Sequence, residues 1–191
     1  MTAVLRHRRP RVAAAALLWA LCLGLTQSAC GIRAPRVASE SLDDATIALL
    51  GAARALHSQA DLYEASGDQT QAIRSIERVL TLSAPAAVRE VEDVRVDAYG
   101  RLSELALSAN RPADAIRYAD QGIQMATRES VLHARLHLVR GRSLRALAES
   151  MAVTQSGEAA TRRAEAIAAL ERSIQMNERV LQRALDAGVP R

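Results

Sequence analysis

The feature that most constrains this chain is the recurrence of short breaks in what is otherwise continuous helix-forming sequence. From Leu42 onward Ala, Leu, Arg and Glu dominate, Gly and Pro are sparse, and there is little period-two alternation of β-branched residues. This is the composition and rhythm of helices, not of strands. The breaks fall at Ser66-Gly67-Asp68, Ser83-Ala84-Pro85, Ala109-Asn110-Arg111-Pro112, Thr127-Arg128-Glu129 and Gln155-Ser156-Gly157, with Gly188 and Pro190 closing the last segment. Gly and Asn tolerate the left-handed backbone that ends a helix, and Pro and Asp suit the first turn of the next. The breaks predict six helices, over 42–66, 69–83, 87–109, 112–127, 129–154 and 159–187. Turns this short return each helix against its predecessor, so the unit is a helical hairpin. One hairpin cannot bury its apolar stripe alone, whereas three stacked in a row can make a continuous core.

Self-similarity supports stacking. Leu56, Ala60, Tyr63, Gly67, Asp68, Ala72, Ile73, Ile76, Val79 and Leu80 form one segment, and Tyr99, Leu102, Ser103, Ala106, Asn110, Ala115, Ile116, Ala119, Gly122 and Ile123 form another 43 residues on. Both resemble the tetratricopeptide repeat: a small residue where two helices touch, a tight turn, then Ala-Ile opening the second helix. That family repeats every 34 residues. About nine residues, around Ala86 to Val94, are therefore extra and lengthen the intervening helix. The third hairpin follows the pattern more loosely, with Gly141 and Leu144 in its first helix and Ala166, Ile167, Leu170 and Ile174 in its second.

The resemblance implies an all-α fold of three tetratricopeptide-like hairpins stacked as a short right-handed solenoid over 42–187. It implies close helix approach at Ala60, Ser103 and Gly141 against Ala72, Ala115 and Ala166. It also implies a protein-binding groove lined by the first helix of each hairpin. Its residues would be Arg54, His57, Asp61 and Glu64, then Asp97, Gly100, Glu104 and Leu107, then Arg135, Leu138, Arg142 and Arg145. Acidic groups gather in the first two hairpins and arginines in the third, so a bipolar groove is expected.

Ahead of the helices, Arg6, Arg8, Arg9 and Arg11 precede the uncharged stretch 12–25, and Ser28-Ala29 precedes Cys30. Basic, apolar and small-residue regions in that order make a secretory signal. The apolar stretch is shorter than the roughly 20 residues a permanent membrane span requires. Ser28-Ala29-Cys30-Gly31 resembles the processing site of bacterial lipoproteins, with Gln27 where that family has an apolar residue. The resemblance implies a signal over 1–29, a lipidated Cys30 opening a tether over 30–41, and the outer membrane as destination, because Gly31 and not Asp follows the cysteine. The alternative is ordinary cleavage after Gly31, using Ala29 and Gly31 as the small pair, which frees a periplasmic or secreted protein.

Charge narrows the partners. Of 25 basic residues, all Arg, four lie in the leader, and from Cys30 onward 21 arginines face 21 acidic residues. A neutral, Phe-free domain gives no electrostatic footprint for phosphate backbones and few rings for bases, so nucleic acid is not expected. Cys22 lies in the signal, and the remaining Cys30 has no disulfide partner in the mature chain. His133 and His137 are spaced as metal ligands on one helix face, but HARLH lacks the general-base Glu of the zinc-protease helix and no third ligand is evident. The acidic cluster Glu90, Glu92, Asp93 and Asp97 suits a solvated helix face, as do Glu171 and Glu178 beside Arg172, Arg179 and Arg183. Asp43-Asp44 suits the first turn of the first helix. No phosphate-cradling Gly-rich loop or nucleophile elbow occurs. The expectation is a non-enzymatic scaffold without cofactor or metal, held to a membrane through Cys30, whose partners are other envelope proteins or peptides. Oligomerisation through the long final helix is the other reading of the scaffold.

Overall fold

The computed structural model describes residues 44–83, 89–151 and 155–188. They form six helices in chain order: α1 (Asp44–Ala65), α2 (Gln69–Leu80), α3 (Arg89–Ser108), α4 (Pro112–Met125), α5 (Val131–Met151) and α6 (Ser156–Gly188). The fold is an all-α helical repeat. The main departure from the expected boundaries is at α6, which takes Ser156 and Gly157 into its first turn instead of starting near 159. The segments 1–29 and 30–41, Cys30 included, lie outside the described residues, as does Asp43.

The two turns that the sequence aligned are built alike. Gly67 has φ +82° and Asn110 has φ +57°, the left-handed conformation that Gly adopts freely and Asn tolerates. In the first turn the Gly67 amide donates to the Glu64 carbonyl at 2.9 Å and the Asp68 amide to Tyr63 at 2.8 Å. In the second, Asn110 donates to Leu107 at 3.0 Å and Arg111 to Ala106 at 2.9 Å. This bond pair satisfies the carbonyls left open at a helix end. Asp68 then caps α2, its side chain accepting from the Gln71 amide at 3.0 Å, while Pro112 sits in the first turn of α4, where a missing N–H costs nothing.

Small residues set the spacing inside each hairpin. Ala60 and Ala72 are fully buried, as are Ser103 and Ala115, and the Ser103 hydroxyl donates to the Ala115 carbonyl at 2.6 Å. In the third hairpin a Cβ on Gly141 would lie 2.8 Å from Leu170 Cγ and 3.0 Å from the Ala166 carbonyl oxygen. Ile76, Val79, Leu102 and Leu105 fill the core between the first two hairpins. Leu136, Val139, Leu144 and Met176 are buried in the third.

The pattern of helix contacts fixes the placement of the candidate groove. Each helix packs on the next, and α3 also packs on α1 and α5 on α3. The backbones of α2 and α4 do not approach each other, nor do those of α4 and α6. The Tyr118 hydroxyl spans the first of these gaps, donating to Glu77 at 3.0 Å. Odd-numbered helices thus crowd together on one side while even-numbered helices splay on the other, so α1, α3 and α5 share the inner, concave face.

Candidate protein-binding groove

Along this face the side chains named from sequence assemble into a ladder of ion pairs. Its hub is Arg101 on α3, a residue the sequence reading left out. An Arg101 Nη atom donates to Asp61 at 2.7 Å and to Glu64 at 2.5 Å, both on α1, and the other lies 3.9 Å from Glu104. One rung on, Arg135 of α5 grips Glu104 with two parallel bonds of 2.9 and 2.6 Å and donates to Asp97 at 2.6 Å. His57 Nε2 lies 3.8 Å from the other Asp97 oxygen.

Electrostatics keep both arginines charged. Burial works against the Arg101 cation, but the Glu64 and Asp61 hydrogen bonds outweigh it and its pKa is raised. For Arg135 the Glu104 hydrogen bond leads and again overcomes burial, raising the pKa. Forked guanidinium–carboxylate bonds are the strong and directional kind.

The structure therefore brings together His57, Asp61, Glu64, Asp97, Glu104 and Arg135. Arg54 and Arg142 are exposed and make no ion pair among the described residues, and Arg145 pairs with Glu149 of its own helix at 3.5 Å. Gly100 is buried where α3 meets α5, its Cβ direction 3.8 Å from Leu136, and is closed to a ligand, while Leu107 packs partly buried against the core. Leu138 is half-buried. The bipolar groove expected from sequence is modified: four carboxylates in the ladder meet two guanidiniums, and Arg135 closes onto acids of the second hairpin. The face has an acidic centre, with exposed Asp61 as its open edge, flanked by the cations Arg54 and Arg142.

Other clusters hold the scaffold. Of the acidic group expected to be merely solvated, Glu92 accepts from the Thr127 amide at 2.8 Å and hydroxyl at 2.7 Å, and Asp93 pairs with Arg128. These bonds pin the α4–α5 turn to α3, and the Thr127 amide bond is the leading cause that holds Glu92 below the usual carboxylate range. Arg179 and Arg183 bond not to Glu171 or Glu178 but to Glu129, at 2.7 and 3.4 Å. The His133 and His137 rings stack 5.2 Å apart, and the described residues contain no group of three or more His, Cys, Asp or Glu side chains placed to hold a metal. Nor is any helix among them long and apolar enough to cross a membrane.

A tetratricopeptide-repeat family profile matches residues 53–85, which takes in the second half of α1 and all of α2. No curated protein and no solved structure matches the chain. The match carries a protein-binding class of scaffold, and the shared turns and small-residue joints extend its pattern from the first hairpin into the second.

Proposed function

We propose that this chain is an adaptor in a bacterial envelope assembly, binding a partner protein on the α1–α3–α5 face while a lipid on Cys30 anchors it to the outer membrane. The observation that carries the binding half is the contact pattern: odd-numbered helices pack on one another and even-numbered helices do not, making a concave face of side chains from all three hairpins. The ladder braces this face, and Arg54, Asp61 and Arg142 are left exposed to read the charge of a partner segment. The anchor rests on Ser28-Ala29-Cys30-Gly31 behind the apolar run. Two acyl chains or more hold a protein to a leaflet essentially permanently, where one chain binds reversibly.

The two halves separate experimentally. Cys30→Ser should abolish lipid labelling and move the protein from the membrane to the soluble fraction, with helical circular dichroism unchanged. A mature protein beginning at Ile32, seen by mass spectrometry, would overturn the anchor and leave the groove standing. For the groove, partner capture from detergent-solubilised envelope should weaken in Arg54→Glu/Arg142→Glu and persist in Arg74→Glu/Arg78→Glu, a reversal of exposed arginines on α2. Arg179 is unsuited to such a control, because it bonds to Glu129.

A further inference from the structure

The second helix of each of the first two hairpins is flanked on both sides: α2 packs on α1 and α3, and α4 on α3 and α5. Among the described elements α6 packs on α5 alone. Its uncovered side is apolar, and the repeat register shows why. Ile73, Ile116 and Ile167 follow the joint alanines Ala72, Ala115 and Ala166, with Leu80, Ile123 and Ile174 seven residues later in each hairpin. Ile73 is 7% exposed and Leu80, Ile116 and Ile123 are half-buried, whereas Ile167 and Ile174 are 58% and 57% exposed. These are the positions that the next helix covers in the first two hairpins, and no described element covers them on α6.

The stripe continues through exposed Leu181 and Leu185. At 100° per residue, Arg163, Ile167, Ile174, Glu178, Leu181 and Leu185 fall within about 60° of helix circumference, about 100° round from the buried stripe facing α5. This stripe is complementary to itself when reversed. With a twofold axis between residues 170 and 171, Ile167 meets the partner's Ile174, Arg163 meets the partner's Glu178, Leu181 meets the partner's Ala160, and Leu185 meets the partner's Ser156. Neither Arg163 nor Glu178 makes an ion pair among the described residues, so both are open to each other. A parallel arrangement would set Arg163 against Arg163 and Glu178 against Glu178. An antiparallel axis at Ile174 would press Arg163 onto Leu185 and leave both charges without partners.

We propose that α6 is a homodimerisation helix, pairing antiparallel with α6 of a second copy in this register. Each contact then occurs twice, as a twofold interface requires, and the second copy covers the stripe that α6 leaves exposed. The surface is distinct from the concave face, so two grooves remain open in the dimer.

The test is the mass of the full chain in detergent solution, measured by analytical ultracentrifugation across concentration. The wild type should be dimeric. Ile174→Arg, Arg163→Glu and Glu178→Arg should each raise the dimer dissociation constant by about tenfold or more, and Arg163→Glu/Glu178→Arg should recover most of the loss, as two opposed charge pairs re-form. Circular dichroism should be the same for all five proteins. A wild type that is monomeric throughout, a dimer indifferent to Ile174→Arg, or a double variant as weak as either single one overturns the pairing.

Discussion

Arg101 shows how one side chain can organise a face. Asp61, Glu64 and Glu104 come from two helices, and without the guanidinium three carboxylates would crowd one another. Arg101→Ala should therefore lower unfolding stability by about 1–2 kcal/mol, more than an exposed pair is worth, because it leaves half-buried charge uncompensated. Urea titration at neutral pH checks this. The residue was legible in principle: it lies four positions after Asp97 and three before Glu104, on the same helix face. What the sequence could not supply is that α1 approaches α3 closely enough for Arg101 to reach Asp61, 40 positions away. His137 gives the pH-dependent counterpart. Burial, then the neighbouring His133, Arg172 and Arg140, push its pKa from 6.5 down to about 4, with Asp120 opposing. Between those values the unfolded chain binds a proton that the folded chain does not, so this contribution is complete above pH 6.5 and lost as pH falls toward 4. It is worth on the order of 1–2 kcal/mol once screening of the half-buried ring is allowed for. Thermal melts at pH 7 and pH 4.5 should show a smaller loss for His137→Asn than for the wild type, and equal losses would contradict the assignment.

At the scale of the elements, the number and order of the described helices and the first two hairpin turns were readable from sequence, because Gly67, Asn110 and Pro112 act locally. The start of α6 was not, since Ser156 and Gly157 resemble a break yet are tolerated in an exposed first turn. The partners of the acidic run on α3 were not readable for a different reason: Thr127 and Arg128 lie in a turn whose position depends on tertiary packing. Glycines inside helices separate spacing from propensity. Gly51 is exposed in α1 with nothing near its Cβ direction, whereas Gly141 faces Leu170 and the Ala166 carbonyl at 2.8–3.0 Å. Gly51→Ala should stabilise by about 0.5–1 kcal/mol through helix propensity alone. Gly141→Ala should destabilise by about 1–2 kcal/mol, because overpacking against backbone outweighs that gain. Paired denaturation midpoints test the contrast, and a stabilising Gly141→Ala would mean that α5 and α6 are not held together at this joint.

For the whole molecule, the all-α repeat was legible because three hairpins share small joints and apolar spacing, and its contact pattern turns that repeat into a concave face. The charges on that face were less legible, since Arg135 reaches across to Asp97 and Glu104 instead of joining an arginine-rich third hairpin. An acidic centre flanked by Arg54 and Arg142 should make partner capture salt-sensitive, with association slowing as ionic strength rises and dissociation changing less. The most direct test of the binding face is site-specific photocrosslinking in intact cells, with a photoreactive residue placed in turn at Arg54, Arg142, Arg74 and Arg78. Adducts to one common partner should form from Arg54 and Arg142 on the concave side and not from Arg74 or Arg78 on α2; equal yields from both sides, or adducts from α2 alone, would contradict the assignment of the α1–α3–α5 face.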